Sequence, residues 1–332
     1  GTYTTATRVG TLQGVHVSSP RKIEIMRRDF DEQVDAQALL AAMSVERASI
    51  RTPLMFEYQL NEMARRQKRR IVLPESGDDR ILQSASIVLS RGTADIVLLG
   101  SPNAIKAQAS SLGLSLDGAE IVDMETPELV DRFAKTYAEL RAKKGVTYEQ
   151  AVQKMKDPSY FGTMMVFLGL ADGMVSGAVN TTANTIRPSL EFVKTKPGVQ
   201  VVSSSFLMCM PDRVDVYGDC AVNPDPSAEQ LADIAIGCAE TAEIFGIEPR
   251  VAMLSYSTGT SGSGAVFDKD PEATEIVRGR KPGLKVDGPI QFDAAIDPTV
   301  GKKKMPGSEV AGQATVFVFP DLNTGNNTYK AV

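Results

Sequence analysis

Four stretches of the sequence place small hydroxyl, amide and glycine residues directly after apolar runs. They are SGAVNTTANTIRP (residues 176–188), GDCAVNPDP (218–226), SYSTGTSGSGA (255–265) and PDLNTGNN (320–327). Backbone amides and hydroxyls in such loops bind phosphate-sized anions. The candidate ligands are Ser176, Thr181, Thr182 and Thr185 in the first stretch, Ser257 and Thr258 in the third, and Asn323 in the fourth. Arg187 adds a guanidinium, which can fork onto a phosphate or a carboxylate. Taken singly, each stretch is equally an ordinary turn, and Arg187 equally a surface ion pair. None carries the Gly-Lys-Ser/Thr of a nucleotide P-loop, and none is a GxGxxG behind a first strand.

Other reactive side chains are sparse. His16 is the only histidine, with no nucleophile or carboxylate pattern around it, so a Ser-His-Asp or Cys-His mechanism is not expected. The three cysteines, Cys209, Cys220 and Cys238, match no zinc spacing. Cys209 lies in the apolar SFLMCMP and reads as core, whereas Cys220 borders one of the loops of interest. Arg141 closes the helical YAELRAKKG, where a cation suits the helix dipole. Asp293 and Asp297, four apart, could hold a divalent metal, but a solvated helix face explains them as well; no metal site is expected. The run at Lys302, Lys303 and Lys304 reads as a solvated face.

These loops need a scaffold that brings them to one edge. From Thr52 onward short apolar strands alternate with helical segments: RRIVLPE, ADIVLLG and GMVSGA are strands. In GDDRILQSASIVLSRG, Ile81, Leu82, Ala85, Val88 and Leu89 share one helical face, with Gly92 as the stop. Thr126 can cap a helix whose buried stripe is Leu129, Val130, Phe133, Tyr137 and Leu140. A second set follows: strands VQVVSSSF, RVDVYGD, RVAMLS, GLKVDGP and ATVFVFP, with Ser227 and Gln230 forming a capping box for a helix ending near Gly246. Such alternation predicts an α/β fold with parallel sheets covered on both faces, and ligands then sit outside the carboxyl ends of the strands. The expected divisions are residues 1–51, which set up no such alternation, then 52–197 and 198–332, with a break at the Lys196-Pro197-Gly198 seam.

Composition narrows the functional classes. The chain has 332 residues, 42% of them hydrophobic, and a formal net charge of −5, which argues against nucleic-acid or acidic-membrane partners. No run of 18 apolar residues occurs, so no membrane span is expected. An odd, sparse set of three cysteines and no signal-peptide pattern fit a reducing, cytoplasmic setting.

SGAVNTTANTIRP, MLSYSTGTSGSG, GPIQFDAA, KMPGSEVAGQATVFVFPDLNTGNNTYK and RIVLPESGDDRIL together resemble the phosphate acetyltransferase family, from about Thr52 to the last residue. The resemblance implies two α/β domains with the active site in the cleft between them, similar to the isocitrate and isopropylmalate dehydrogenases. It implies reversible transfer of an acetyl group between CoA and phosphate, directly in a ternary complex. Acetyl-CoA, CoA, phosphate and acetyl phosphate are then the partners, with no cofactor beyond CoA as substrate, in a homo-oligomer (dimer or hexamer). The family's substrate-binding arginines fall on Arg141 and Arg187. Residues 1–51 resemble the end of the regulatory domain in the long form of the enzyme.

Two departures stand out. Asn180 occupies a position where the family usually has histidine. The family's Asn-Asp-Leu-Ser-Arg-Gly segment, which carries the catalytic serine, arginine and aspartate, does not occur in these 332 residues, so no catalytic residue is identified and the chain as written is expected to be inactive or weakly active. The alternatives are a non-catalytic acetyl-CoA-sensing module, as fused to malic enzymes, a phosphate butyryltransferase, and, ranked last for want of a dinucleotide fingerprint, a metal-dependent decarboxylating dehydrogenase.

Overall fold

The computed structural model describes residues 51–259 and 265–332. Contacts divide the chain into residues 1–51 and 52–332, and the described elements belong to the second unit. His16 and residues 260–264 of the third candidate stretch lie outside the described residues.

Helix α1 (Pro53–Arg66) starts at Thr52, whose hydroxyl accepts from the Met55 amide, with proline in the first turn. Four parallel strands follow: β1 (Arg70–Leu73), β2 (Asp95–Leu99), β3 (Glu120–Val122) and β4 (Gly173–Met174), in spatial order β3-β2-β1-β4. Alternation along the strands divides the core. Leu73, Ile96 and Leu98 face α2 (Asp79–Arg91) and α3 (Pro102–Ser111). Val72, Val97 and Leu99 face α4 (Pro127–Leu140), α5 (Tyr148–Lys154) and α6 (Pro158–Phe167). Gly92 ends α2 at φ 63°, a left-handed position that costs other residues energy. After β4 come α7 (Thr182–Pro188) and one wide π-type turn over Ser189–Val193.

The second sheet contains β5 (Phe206–Cys209), β6 (Val214–Gly218), β7 (Arg250–Leu254), β8 (Lys285–Ile290) and β9 (Val316–Val318), ordered β5-β6-β9-β7-β8. Only β5 runs antiparallel. Its Val216, Val251, Met253, Val316 and Val318 pack under α8 (Ala228–Ile244) and α9 (Ala265–Arg280). Tyr217, Ala252, Leu254, Phe317 and Phe319 face α10 (Phe292–Ile296), α11 (Pro298–Lys304) and α12 (Leu322–Ala331). The Ser227–Gln230 capping box forms in full and opens α8. Phe56 of α1, 4% exposed, joins this second core against Phe245, although α1 leads directly into the first sheet.

Several expectations fail for identifiable reasons. VQVVSSSF is not a strand; β5 begins only at Phe206, because Ser204 donates both its amide and its hydroxyl to Asp219 instead of joining a ladder. Thr126 stands at the cap position of α4 without a side-chain capping bond, and Leu140 is exposed beyond the buried stripe of Phe133, Ala134 and Tyr137. Cys209 is exposed, because the antiparallel edge strand turns it outward. Asp293 binds Lys304 and Asp297 caps α11 through the Thr299 and Val300 amides, so the pair is not a plain solvated helix face. Lys304 is accordingly tied down, not simply solvated.

Candidate anion site

The loops that follow the parallel strands emerge at the same end of each sheet. In the first sheet the crevice between β1 and β4 is bridged by Glu75, one residue beyond Pro74 at the end of β1. Its carboxylate accepts from the backbone amides of Gly177, Ala178, Val179 and Asn180 at 2.7–2.9 Å, and from Asn180 Nδ2 at 3.0 Å. Burial pushes its pKa up, but the four amide donors outweigh this and hold it below the ordinary carboxylate range. From outside, Arg80 donates to the Ala178 carbonyl at 2.8 Å. This loop is therefore an anion nest already occupied by the protein's own carboxylate.

The second candidate stretch behaves the same way. Asp219, 2% exposed, accepts from the amides of Ala221, Val222 and Asn223 at 2.8–3.2 Å. Burial raises its pKa, and these amides with Ser204 and Asn223 more than reverse that. Cys220 beside it lies in the core, and burial pushes its thiol up to about 12, so it stays protonated.

What stays available for an outside anion is side-chain groups on α4, α6 and α7 and in the loop after β4. Arg141, at the C-terminal cap of α4, donates through Nη1 to the Glu191 carbonyl at 3.3 Å, while its buried Nε has no partner. The Glu191 carboxylate accepts from Tyr137 at 2.6 Å. Burial and that carboxylate push the Tyr137 hydroxyl up to about 12, so it remains a donor. Tyr160, 3% exposed and packed edge-on to Tyr137 at 5.9 Å, brings a hydroxyl without a partner near Glu191 and Arg187. The Arg187 side chain, in the last turn of α7, is exposed. Thr185 and Ser176 each have a buried hydroxyl without a partner. Two guanidiniums beside donor hydroxyls can bind a tetrahedral oxyanion and offset charge that develops on it.

The other sequence candidates are placed as follows. Thr181 caps α7 through the Asn184 amide, and Thr182 is the exposed first residue of that helix. Ser257 is 9% exposed behind β7. The Thr258 hydroxyl pairs with Gln291, donating to its side-chain oxygen and accepting from its amide. Asn323 lies exposed in the first turn of α12. Glu75, Glu191, Tyr137 and Tyr160 were not singled out as site residues from sequence. Glu75 did leave one trace, an acid directly behind a buried apolar strand.

A family model described as phosphate acetyl/butaryl transferase matches residues 55–332. The chain is 55% identical over 332 residues to a phosphate acetyltransferase of Nitratidesulfovibrio vulgaris, which covers 100% of this chain and 47% of that protein. It is 54% identical over 322 residues to the phosphate acetyltransferase of Escherichia coli, covering 96% of this chain and 44% of that protein. The chain thus spans about half the length of the curated relatives it matches. Among solved structures, a phosphotransacetylase from Streptococcus pyogenes superposes with a TM-score of 0.80 at 42% identity, over 84% of this chain and 85% of that one. The chain belongs to the phosphate acetyl/butaryl transferase family.

Proposed function

We propose that this chain carries the transfer site of a phosphate acetyltransferase, which exchanges an acetyl group between CoA and inorganic phosphate. The observation that carries the reading is the half-buried Arg141 whose Nε lacks a partner, beside Tyr137, with Arg187 within electrostatic reach of Tyr160, which packs on Tyr137. A phosphate on the two arginines would be fixed for attack by its oxygen on the acetyl carbonyl of acetyl-CoA, from which the CoA thiolate leaves, and such placement supplies much of the rate in direct transfer. In the reverse direction a CoA thiolate attacks the carbonyl of acetyl phosphate, the thiolate–carbonyl bond forms, and phosphate leaves onto the guanidiniums.

In this proposal Ser176, Thr181, Thr182 and Thr185 line the phosphate side. Ser257, Thr258 and Asn323 face it from the second sheet across a cleft, with residues 52–197 and 198–332 as the two lobes in the manner of the isocitrate dehydrogenases. CoA enters as substrate, not as a resident cofactor. A cytoplasmic setting and a homo-oligomeric state belong to the same proposal. Among the described residues no helix is long and apolar enough to cross a membrane.

Calorimetric titration with inorganic phosphate and with CoA tests the site independently of turnover. Wild type should bind both, and Arg187→Ala should weaken phosphate at least tenfold while leaving CoA within about twofold, since a charged hydrogen bond contributes about 1.5–3 kcal/mol. Unchanged phosphate affinity in Arg187→Ala would remove the arginine from the site. Acetyl phosphate formation by the 332-residue chain, read separately, tests the expectation of weak turnover. A panel of acyl-CoA chain lengths separates acetyl from butyryl transfer, which the family description leaves open.

A further inference from the structure

The four amides that Glu75 holds in the first sheet's crevice are consecutive. Gly177 and Ala178 donate to one carboxylate oxygen, Val179 and Asn180 to the other. The Asn180 side chain adds a bond from Nδ2 at 3.0 Å. Gly177 sits at φ 119°, a left-handed value that glycine takes freely, and this lets successive N–H groups converge on one point. Glu75 is 8% exposed, so little water competes for these bonds.

Both flanks of the clamped run belong to the proposed phosphate side. Ser176 precedes it, with a buried hydroxyl that has no partner. Thr181 follows it directly as the N-cap of α7, accepting from the Asn184 amide. Helix α7 has seven residues, too few for a helix to hold its shape alone in water. Core packing does not fix its entry, because Thr181, Thr182, Ala183 and Asn184 are all exposed. It is tied at two places: by the Glu75 clamp just before Thr181, and by the buried Pro188 at its end. Two fixed points set the direction of a rod. Pro188 alone would leave the helix free to swing, and Arg187, one residue before it, would swing too.

We infer that Glu75 is a positioning residue for phosphate: by holding residues 177–180 it fixes the entry of α7, and so the direction in which Arg187 projects. Glu75 does not meet the anion itself. Both of its oxygens are taken by the run, and Arg80 lies within electrostatic reach of its charge. Glutamine fits the place poorly, because its amide nitrogen would turn a donor toward two N–H donors. The inference rests on the phosphate acetyltransferase reading for the anion and for the part that Arg187 plays.

The test is a double-mutant cycle in the 332-residue chain. Phosphate and CoA are titrated separately by calorimetry into wild type, Glu75→Gln, Arg187→Ala and the double variant. Glu75→Gln should raise the phosphate Kd roughly tenfold, the effect of misplacing about one charged hydrogen bond to the anion, and leave the CoA Kd within about twofold. On the Arg187→Ala background the same change should move the phosphate Kd by less than about twofold, because no guanidinium is left to misplace. Urea unfolding separates this from plain destabilisation. The stability lost through Glu75→Gln should be the same on both backgrounds, since the clamp bonds do not involve Arg187. Unchanged phosphate affinity in Glu75→Gln, an equal loss with and without Arg187, or phosphate and CoA weakened alike would each overturn the inference and leave the acetyltransferase reading in place. Wild type that binds no phosphate, or Arg187→Ala that binds it like wild type, would sink that reading and the inference with it. If Glu75→Gln does not fold, Glu75→Asp, which keeps the charge but is one methylene short of the run, replaces it in the cycle with the same expected and refuting results.

Discussion

Asp215 gives the sharpest test of how the second sheet balances charge. The residue sits in β6, is 1% exposed, and holds Arg213 Nε on one oxygen at 2.9 Å while the other oxygen has no partner. Burial raises its pKa from 3.8 to about 6, and Arg213 only partly opposes this. A folded value above the unfolded one means that the native state holds the proton more tightly. Stability is therefore greatest while the carboxyl is protonated, and falls as pH rises from about 4 to about 6. At about 1.4 kcal/mol per pKa unit the full loss is about 3 kcal/mol. Asp215→Asn keeps the shape and removes the titration, and Arg213 is exposed enough to rehydrate. Urea unfolding at pH 4.5 and pH 7.5, followed by circular dichroism, should show the substitution gaining about 2 kcal/mol relative to wild type between the two conditions. Asp270 titrates in the same direction in both proteins and cancels from the difference. A substitution that destabilises more at pH 7.5 than at pH 4.5 would show the charged pair to be favourable and refute the reasoning.

The remaining expectations concern the first sheet's crevice and its mirror in the second. Glu75→Gln should destabilise by about 1.5–3 kcal/mol, since charged hydrogen bonds are the strong ones, and amides 177–180 should exchange faster by hydrogen–deuterium mass spectrometry. Because the Glu75 pKa is depressed, its contribution is present above the unfolded value of 4.5 and is lost as pH falls through the folded one, opposite in sign to Asp215. Tyr137→Phe should leave Arg141 less well placed, raising the phosphate Kd several-fold in calorimetry while the melting temperature falls by only a few degrees. Gly325→Ala should cost about 1–3 kcal/mol in thermal unfolding, because an added Cβ would lie 2.5 Å from the Asp219 carbonyl oxygen.

Much of the scaffold could be read without coordinates, because local chemistry decides it. Ser227 and Gln230 announce α8, Gly92 ends α2, and the apolar runs of β1, β2, β7 and β9 have one home, a sheet buried on both faces. Where a distant partner decides, sequence misled. Val201 and Val202 favour a strand, yet Asp219 claims Ser204 and postpones β5 to Phe206. The loops after β4 and β6, read as sites for an outside phosphate, do present converging amides. That their amides were already filled, by Glu75 from about a hundred positions away and by Asp219 within its own loop, has no signature in composition or spacing. The Tyr137–Glu191–Arg141 cluster was hidden for the same reason, as Tyr137 shows only the periodicity of a core residue.

The placement of Phe56 has a bearing on how the chain is made. Helix α1 precedes every described strand, yet its aromatic anchor packs against Phe245 just after α8, while its Arg65 bonds to the Arg91 carbonyl at the end of α2. During synthesis the first sheet can assemble as soon as β4 has emerged, but the Phe56–Phe245 contact waits until α8 arrives. Non-local pairing of this kind delays closure and exposes a hydrophobic surface in the interim. Leu54, Met55 and Met63 on the same helix are exposed in the folded chain as well. A nascent chain halted between Val193 and Ser227 would display a finished first sheet with the Phe56–Phe245 contact still unmade.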